Sequence, residues 1–134
     1  SLWINDNQLE GSIPQSITNL NSLGFLGLNE NNFTGTIPSN IGDLSNLQIL
    51  RLNINNLSGE LPESITNLTK LKRMYISNNN LSGEIPESFC TFINSSNPPI
   101  TFYLQGNAFC PGINDYPDCL KEVEIIQQNT SNCP

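Results

Sequence analysis

Carboxylates are the only side chains in this chain suited to acid or base chemistry, for it has 12 Asp and Glu residues and no histidine. Glu60 and Glu84 stand 24 residues apart, and Glu63 and Glu87 repeat that interval. If the interval is the step of a repeating fold, each pair sits on adjacent coils about 5 Å apart, close enough to hold a cation weakly through its oxygens. The simpler expectation is a solvated acidic edge that keeps the molecule soluble, and we take it. Without an imidazole, a serine or cysteine nucleophile lacks its usual base. The four cysteines, Cys90, Cys110, Cys119 and Cys133, include no C-x₂-C pair, so a thiolate metal site is not expected either. The sequence points away from an enzyme, and it implies neither a cofactor nor a metal.

The interval is general. Asn7, Asn31, Asn55 and Asn79 keep the 24-residue step, as do Gly11, Gly35, Gly59 and Gly83 and Pro14, Pro38, Pro62 and Pro86. The full units are Leu23 to Asn46, Leu47 to Lys70 and Leu71 to Asn94, after a partial coil from Ser1 to Ser22. Each opens L-x-x-[LM]-x-[LI]-x-x-N-x-[LF]-[ST]-G-x-[IL]-P. Alternation of apolar and polar residues around Leu50 and Leu52 predicts a short strand, and copies stacked in register make a parallel sheet. The asparagine amide both donates and accepts, so a column of Asn7, Asn31, Asn55, Asn79 and Asn107 is expected to satisfy turn backbone inside the stack. The glycine then permits a turn that a side chain would oppose, and the proline suits a stretch without ladder donors. Ile41, Leu44 and Leu47 recur at three-residue spacing, as do Ile65, Leu68 and Leu71, which predicts 3₁₀-like segments on the outer side. A period of this length with leucines at fixed offsets is the mark of a leucine-rich repeat solenoid, in which a coil buries its apolar edge only against its neighbours.

The strings Asn31-Asn-Phe-Thr-Gly-Thr-Ile-Pro38, Asn55-Asn-Leu-Ser-Gly-Glu-Leu-Pro62 and Asn79-Asn-Leu-Ser-Gly-Glu-Ile-Pro86 resemble the plant-type class of extracellular leucine-rich repeats. That class includes receptor-like kinase ectodomains and polygalacturonase-inhibiting proteins. The resemblance runs from Leu2 to about Phe109. It implies a right-handed, twisted coil whose concave sheet recognises partners, with a second small sheet after the Asn turn.

From Asn79 to Asn107 the step lengthens to 28 residues, and the surplus at 93–100 reads as a loop insertion. Residues 1–109 are therefore expected to be repeats and 110–134 a C-terminal cap, in which Leu120 to Gln128 form a short helix with Leu120, Val123 and Ile126 inward. Ser1-Leu2-Trp3-Ile4 begins inside a strand, so either further coils precede it or a partner covers that edge. All four cysteines fall in the last third, which points to two disulfides and an oxidising, extracellular compartment. Coil stacking favours Cys90 with Cys119, leaving Cys110 with Cys133, whereas the resemblance to plant-type caps implies a short Cys110 to Cys119 loop. Glycosylation sequons occur at Asn32, Asn56 and Asn80, where the repeat motif generates them, and independently at Asn67, Asn94 and Asn129.

The net charge of −7 argues against nucleic acid and anionic membranes, and no apolar run is long enough to span a bilayer. Positions just outside the inward leucines form a concave column of Trp3, Gly27, Arg51, Tyr75 and Tyr103, flanked by Phe25, Ile49, Arg73 and Thr101. On the other side run Asn5, Asn29, Asn53, Ser77 and Gln105. Four of the five basic residues, Arg51, Lys70, Lys72 and Arg73, fall within one coil's length. Aromatics and arginines dominate binding hot spots, so Trp3, Phe25, Ile49, Arg51, Arg73, Tyr75 and Tyr103 are the expected contacts for a protein, peptide or glycan. The alternative is a structural protein assembling end to end. Ice binding comes third, because the Thr and Ser columns are interrupted by Glu10, Glu60 and Glu84.

Overall fold

Apolar side chains at alternate positions of each coil's opening segment can be buried only if that segment is extended, with successive residues facing opposite ways. The computed structural model describes residues 1–110, 118–120 and 133. Its strands are β1 (Leu2–Trp3), β2 (Glu10–Ser12), β3 (Phe25–Gly27), β4 (Asn32–Thr34), β5 (Ile49–Arg51), β6 (Ser58–Gly59), β7 (Arg73–Tyr75), β8 (Asn80–Glu84), β9 (Thr101–Tyr103) and β10 (Ala108–Cys110). The odd-numbered strands form one parallel sheet in the order β1-β3-β5-β7-β9. Its register aligns Leu26, Leu50, Met74 and Phe102 on the inner face and Gly27, Arg51, Tyr75 and Tyr103 on the outer. The even-numbered strands pair in parallel beyond the asparagine turn, β2 with β4 and β6 with β8 with β10.

One apolar core runs the length of the stack. Leu26, Leu50, Leu52, Met74 and Ile76 contribute from the sheet side, and Ile41, Leu44, Ile65 and Leu68 from the outer side. Complete burial of such side chains is worth about 1.5–3 kcal/mol each. The outer segments are 3₁₀ turns at Gln15–Asn19, Ile41–Asp43 and Glu63–Asn67.

Each interior asparagine ties two coils together. Asn55 Nδ2 donates to the carbonyls of Leu28 (3.0 Å) and Leu52 (3.1 Å), while its Oδ1 accepts from the Phe33 N–H (3.0 Å). Asn31, Asn79 and Asn107 repeat the pattern, accepting from the N–H groups of Leu9, Leu57 and Leu81. Asn7 departs from the expected ladder: its exposed side chain donates within its own turn, to the carbonyls of Ile4 and Asn5, and only its backbone N–H reaches the next coil, at Glu30. The residue before each of these asparagines is left-handed: Asp6, Glu30, Ile54 and Asn78 have φ between 54° and 57°, and Gly106 has φ 70°.

The lengthened coil departs from the loop reading. An α-helix, α1 (Glu87–Ser95), replaces the 3₁₀ turn and takes up the start of the 93–100 segment. Phe89, Cys90, Phe92 and Ile93 are its buried residues, and their spacing follows the 3.6-residue period that a longer outer segment can present to the core. The disulfides are Cys90–Cys119 and Cys110–Cys133, not a Cys110–Cys119 loop. Cys90 on α1 is thereby clamped to a 3₁₀ turn at Asp118–Leu120, where Leu120 is buried. The rest of the helix expected from Leu120 to Gln128, with Val123 and Ile126, lies outside the described residues, as does Asn129.

Candidate binding face

The outward positions of the five-stranded sheet carry a continuous pile of flat groups. Trp3 and Phe25 stack with centroids 3.8 Å apart and planes 9° from parallel. The Arg51 guanidinium carbon lies 5.9 Å from the Phe25 centroid and 5.0 Å from that of Tyr75. Tyr75 in turn stacks on Tyr103 at 5.0 Å and 8°. Neighbouring strands are about 4.8 Å apart, so rings at these separations stand upright on the sheet with their faces against one another. Their edges are left to meet a ligand.

Phe25 is the member whose exposure differs from expectation. It faces outward, yet is only 8% exposed and does not belong to the core cluster. Gly27 has no side chain, and the Phe25 ring fills that place, becoming covered by Trp3 and Arg51. Trp3 and Tyr103 remain 57% and 42% exposed, Ile49, Arg51 and Tyr75 are partly buried, and Arg73 and Thr101 are exposed. Arg51 Nε is buried with no hydrogen-bond partner, and no described carboxylate pairs with Arg51 or Arg73. Two cations unpaired with any described carboxylate thus stand on this face, and for Arg51 the cation–π contacts with Phe25 and Tyr75 offset part of the lost hydration.

The third column is less available than its polarity suggests. Asn29 and Ser77 are buried, and Asn29 Nδ2 donates to Glu30 Oε1 at 2.9 Å. Next to this column stands Ile54, which the sequence reading passed over: it is 47% exposed and sits at φ 57°, where a β-branched side chain is opposed. Its signal was an isoleucine at an offset otherwise held by Asp6, Glu30, Asn78 and Gly106.

Glu60, Glu63, Glu84 and Glu87 are exposed, and no cluster among the described residues has the makings of a metal site. Asn32, Asn56, Asn67, Asn80 and Asn94 are exposed as well.

Residues 2–90 match the family model described as a leucine-rich repeat region. No curated protein sequence matches the chain. Among solved structures, the ectodomain of the receptor kinase SOBIR1 from Arabidopsis thaliana is 38% identical with a TM-score of 0.70, over 81% of this chain and 57% of that one. A plant ice-binding protein is 33% identical with a TM-score of 0.74, over 81% of this chain and 34% of its own. The Arabidopsis receptor kinase HAESA, solved with the peptide hormone IDA and the co-receptor SERK1, is 31% identical with a TM-score of 0.77, over 92% of this chain and 20% of HAESA. The chain therefore spans less than two thirds of the length of each.

Proposed function

We propose, from the premise that this chain belongs to the leucine-rich repeat family, that it is an extracellular recognition module whose concave face binds a protein or peptide segment. The observation that carries this reading is the Trp3–Phe25–Arg51–Tyr75–Tyr103 pile. A glycan gains most by laying its C–H face on an open aromatic face, and the inner rings have none to offer. An extended peptide crossing the strands would instead meet ring edges and the Arg51 and Arg73 cations, which suit carbonyl and carboxylate oxygens. Because the side chains are already ordered by stacking on a rigid sheet, little conformational freedom is lost on binding.

Selection of peptides from a displayed random library against the intact protein tests the reading. Arg51→Ala and Tyr75→Ala are expected to weaken a selected peptide by about 2 kcal/mol each, as at a hot spot, and Glu63→Ala and Glu87→Ala to leave it unchanged. Loss in the glutamate variants with none in Arg51→Ala and Tyr75→Ala would move the site to the outer side and sink the proposal.

End-to-end assembly is the second reading, supported by the regular parallel stacking of the coils. Sedimentation that is independent of concentration would remove it. The similarity to a plant ice-binding protein raises a third, against which stand the exposed Glu10, Glu60 and Glu84 in the hydroxyl columns. Absence of thermal hysteresis would dispose of it.

A further inference from the structure

Off the concave face, α1 and the segment before β7 enclose an open cleft of about 770 Å³, a size typical of small-molecule sites. Lys70 and Lys72 line one wall, and Ser88, Thr91 and Ser96 line the other. Lys70 Nζ donates to Asn46 Oδ1 at 2.6 Å and Lys72 Nζ to Gln48 Oε1 at 2.9 Å. Both partners are neutral amides, and no carboxylate among the described residues pairs with either lysine, in a chain of net charge −7. Ser88 lines the cleft, although its Oγ is buried beneath the surface, without a hydrogen-bond partner among the described residues.

We propose that this cleft binds an acidic oligosaccharide, its carboxylates against Lys70 and Lys72 and its hydroxyls against the serine and threonine side chains. The donor set selects this class. Ammonium groups discriminate for anions, while side-chain hydroxyls donate and accept alike and so match a polyol. The space exceeds what one inorganic anion fills, and the lining residues are polar apart from Leu71, Phe92 and Pro98, few for the side-chain pockets of a peptide.

Calorimetric titration of the intact protein with a mannuronate tetrasaccharide tests this, with cellotetraose as the neutral arm and inorganic sulfate as the simple-anion arm. The acidic saccharide is expected to bind at least about tenfold more tightly than cellotetraose, less so as salt rises. The Lys70→Gln/Lys72→Gln double variant is expected to lose about tenfold with an unchanged melting temperature. Arg51→Ala and Arg73→Ala, on the concave face, are expected to bind the saccharide normally. Equal binding of cellotetraose, sulfate binding without the saccharide, no binding at all, or an equal loss in Arg73→Ala would each overturn the proposal. None of these outcomes bears on peptide binding by the concave face, which the double lysine variant is expected to retain.

Discussion

The ring of Phe25 lies over Gly27, its Cε1 2.7 Å from the point where a β-carbon on Gly27 would stand. Two residues on the same face of one strand thus share one place in the column that crosses the sheet. Gly27→Ala is expected to push the ring aside and separate it from Trp3 and Arg51. The displaced atoms are the far end of a side chain, so the cost should be near the low end of overpacking, about 1 kcal/mol. Trp3 is the sole tryptophan, and its fluorescence reports the event: an unchanged emission spectrum in Gly27→Ala would mean that the stack does not depend on the gap.

Asn55 supplies two donors and one acceptor to buried backbone. Asn55→Ala leaves the Phe33 N–H without its acceptor, while the Leu28 and Leu52 carbonyls keep bonds from Asn31 and Asn79, and it is expected to cost about 1–3 kcal/mol in denaturant unfolding. Asn56 is exposed, and Asn56→Ala is expected to be nearly silent. Asn7→Ala should also be mild, because the Asn7 side chain donates within its own exposed turn and the variant keeps the backbone bond to Glu30. Equal midpoints for the Asn55 and Asn56 variants would contradict the ladder.

Ile54 holds a left-handed backbone that its branched side chain opposes. Since asparagine tolerates that conformation and the isoleucine is largely exposed, Ile54→Asn is expected to stabilise the protein by about 1 kcal/mol. A lower midpoint than the parent in urea would show that Ile54 contributes contacts worth more than the strain.

Reduction of Cys90–Cys119 and Cys110–Cys133 is expected to loosen the end of the stack first, since a terminal coil has a neighbour on one side only. Hydrogen exchange should then quicken at Phe102 and Phe109 while Leu50 and Leu52 stay protected. Uniform loss of protection along the chain would indicate a single cooperative unit.

Much of this architecture was legible in the spacing of Asn31, Asn55 and Asn79 and of the leucines around them. In a solenoid every coil faces the same neighbours, so a local pattern repeated at fixed steps carries its own tertiary contacts. Strand positions, the 3₁₀ turns of the second and third coils and the identity of the outward residues all follow from that rule. The rule stops where the repeat stops. Whether the 93–100 segment extended a helix or a loop depended on room beside the core for Phe92 and Ile93, which the sequence does not display. Coil stacking favoured Cys90 with Cys119, as found, but the choice against the Cys110–Cys119 loop rested on the Cα atoms of Cys90 and Cys119 arriving 5.5 Å apart. The conversion of an exposed Phe25 into a covered member of an aromatic pile was likewise decided in three dimensions. It required the Gly27 gap to fall in register between Trp3 and Arg51, and a side chain two residues away to turn into it.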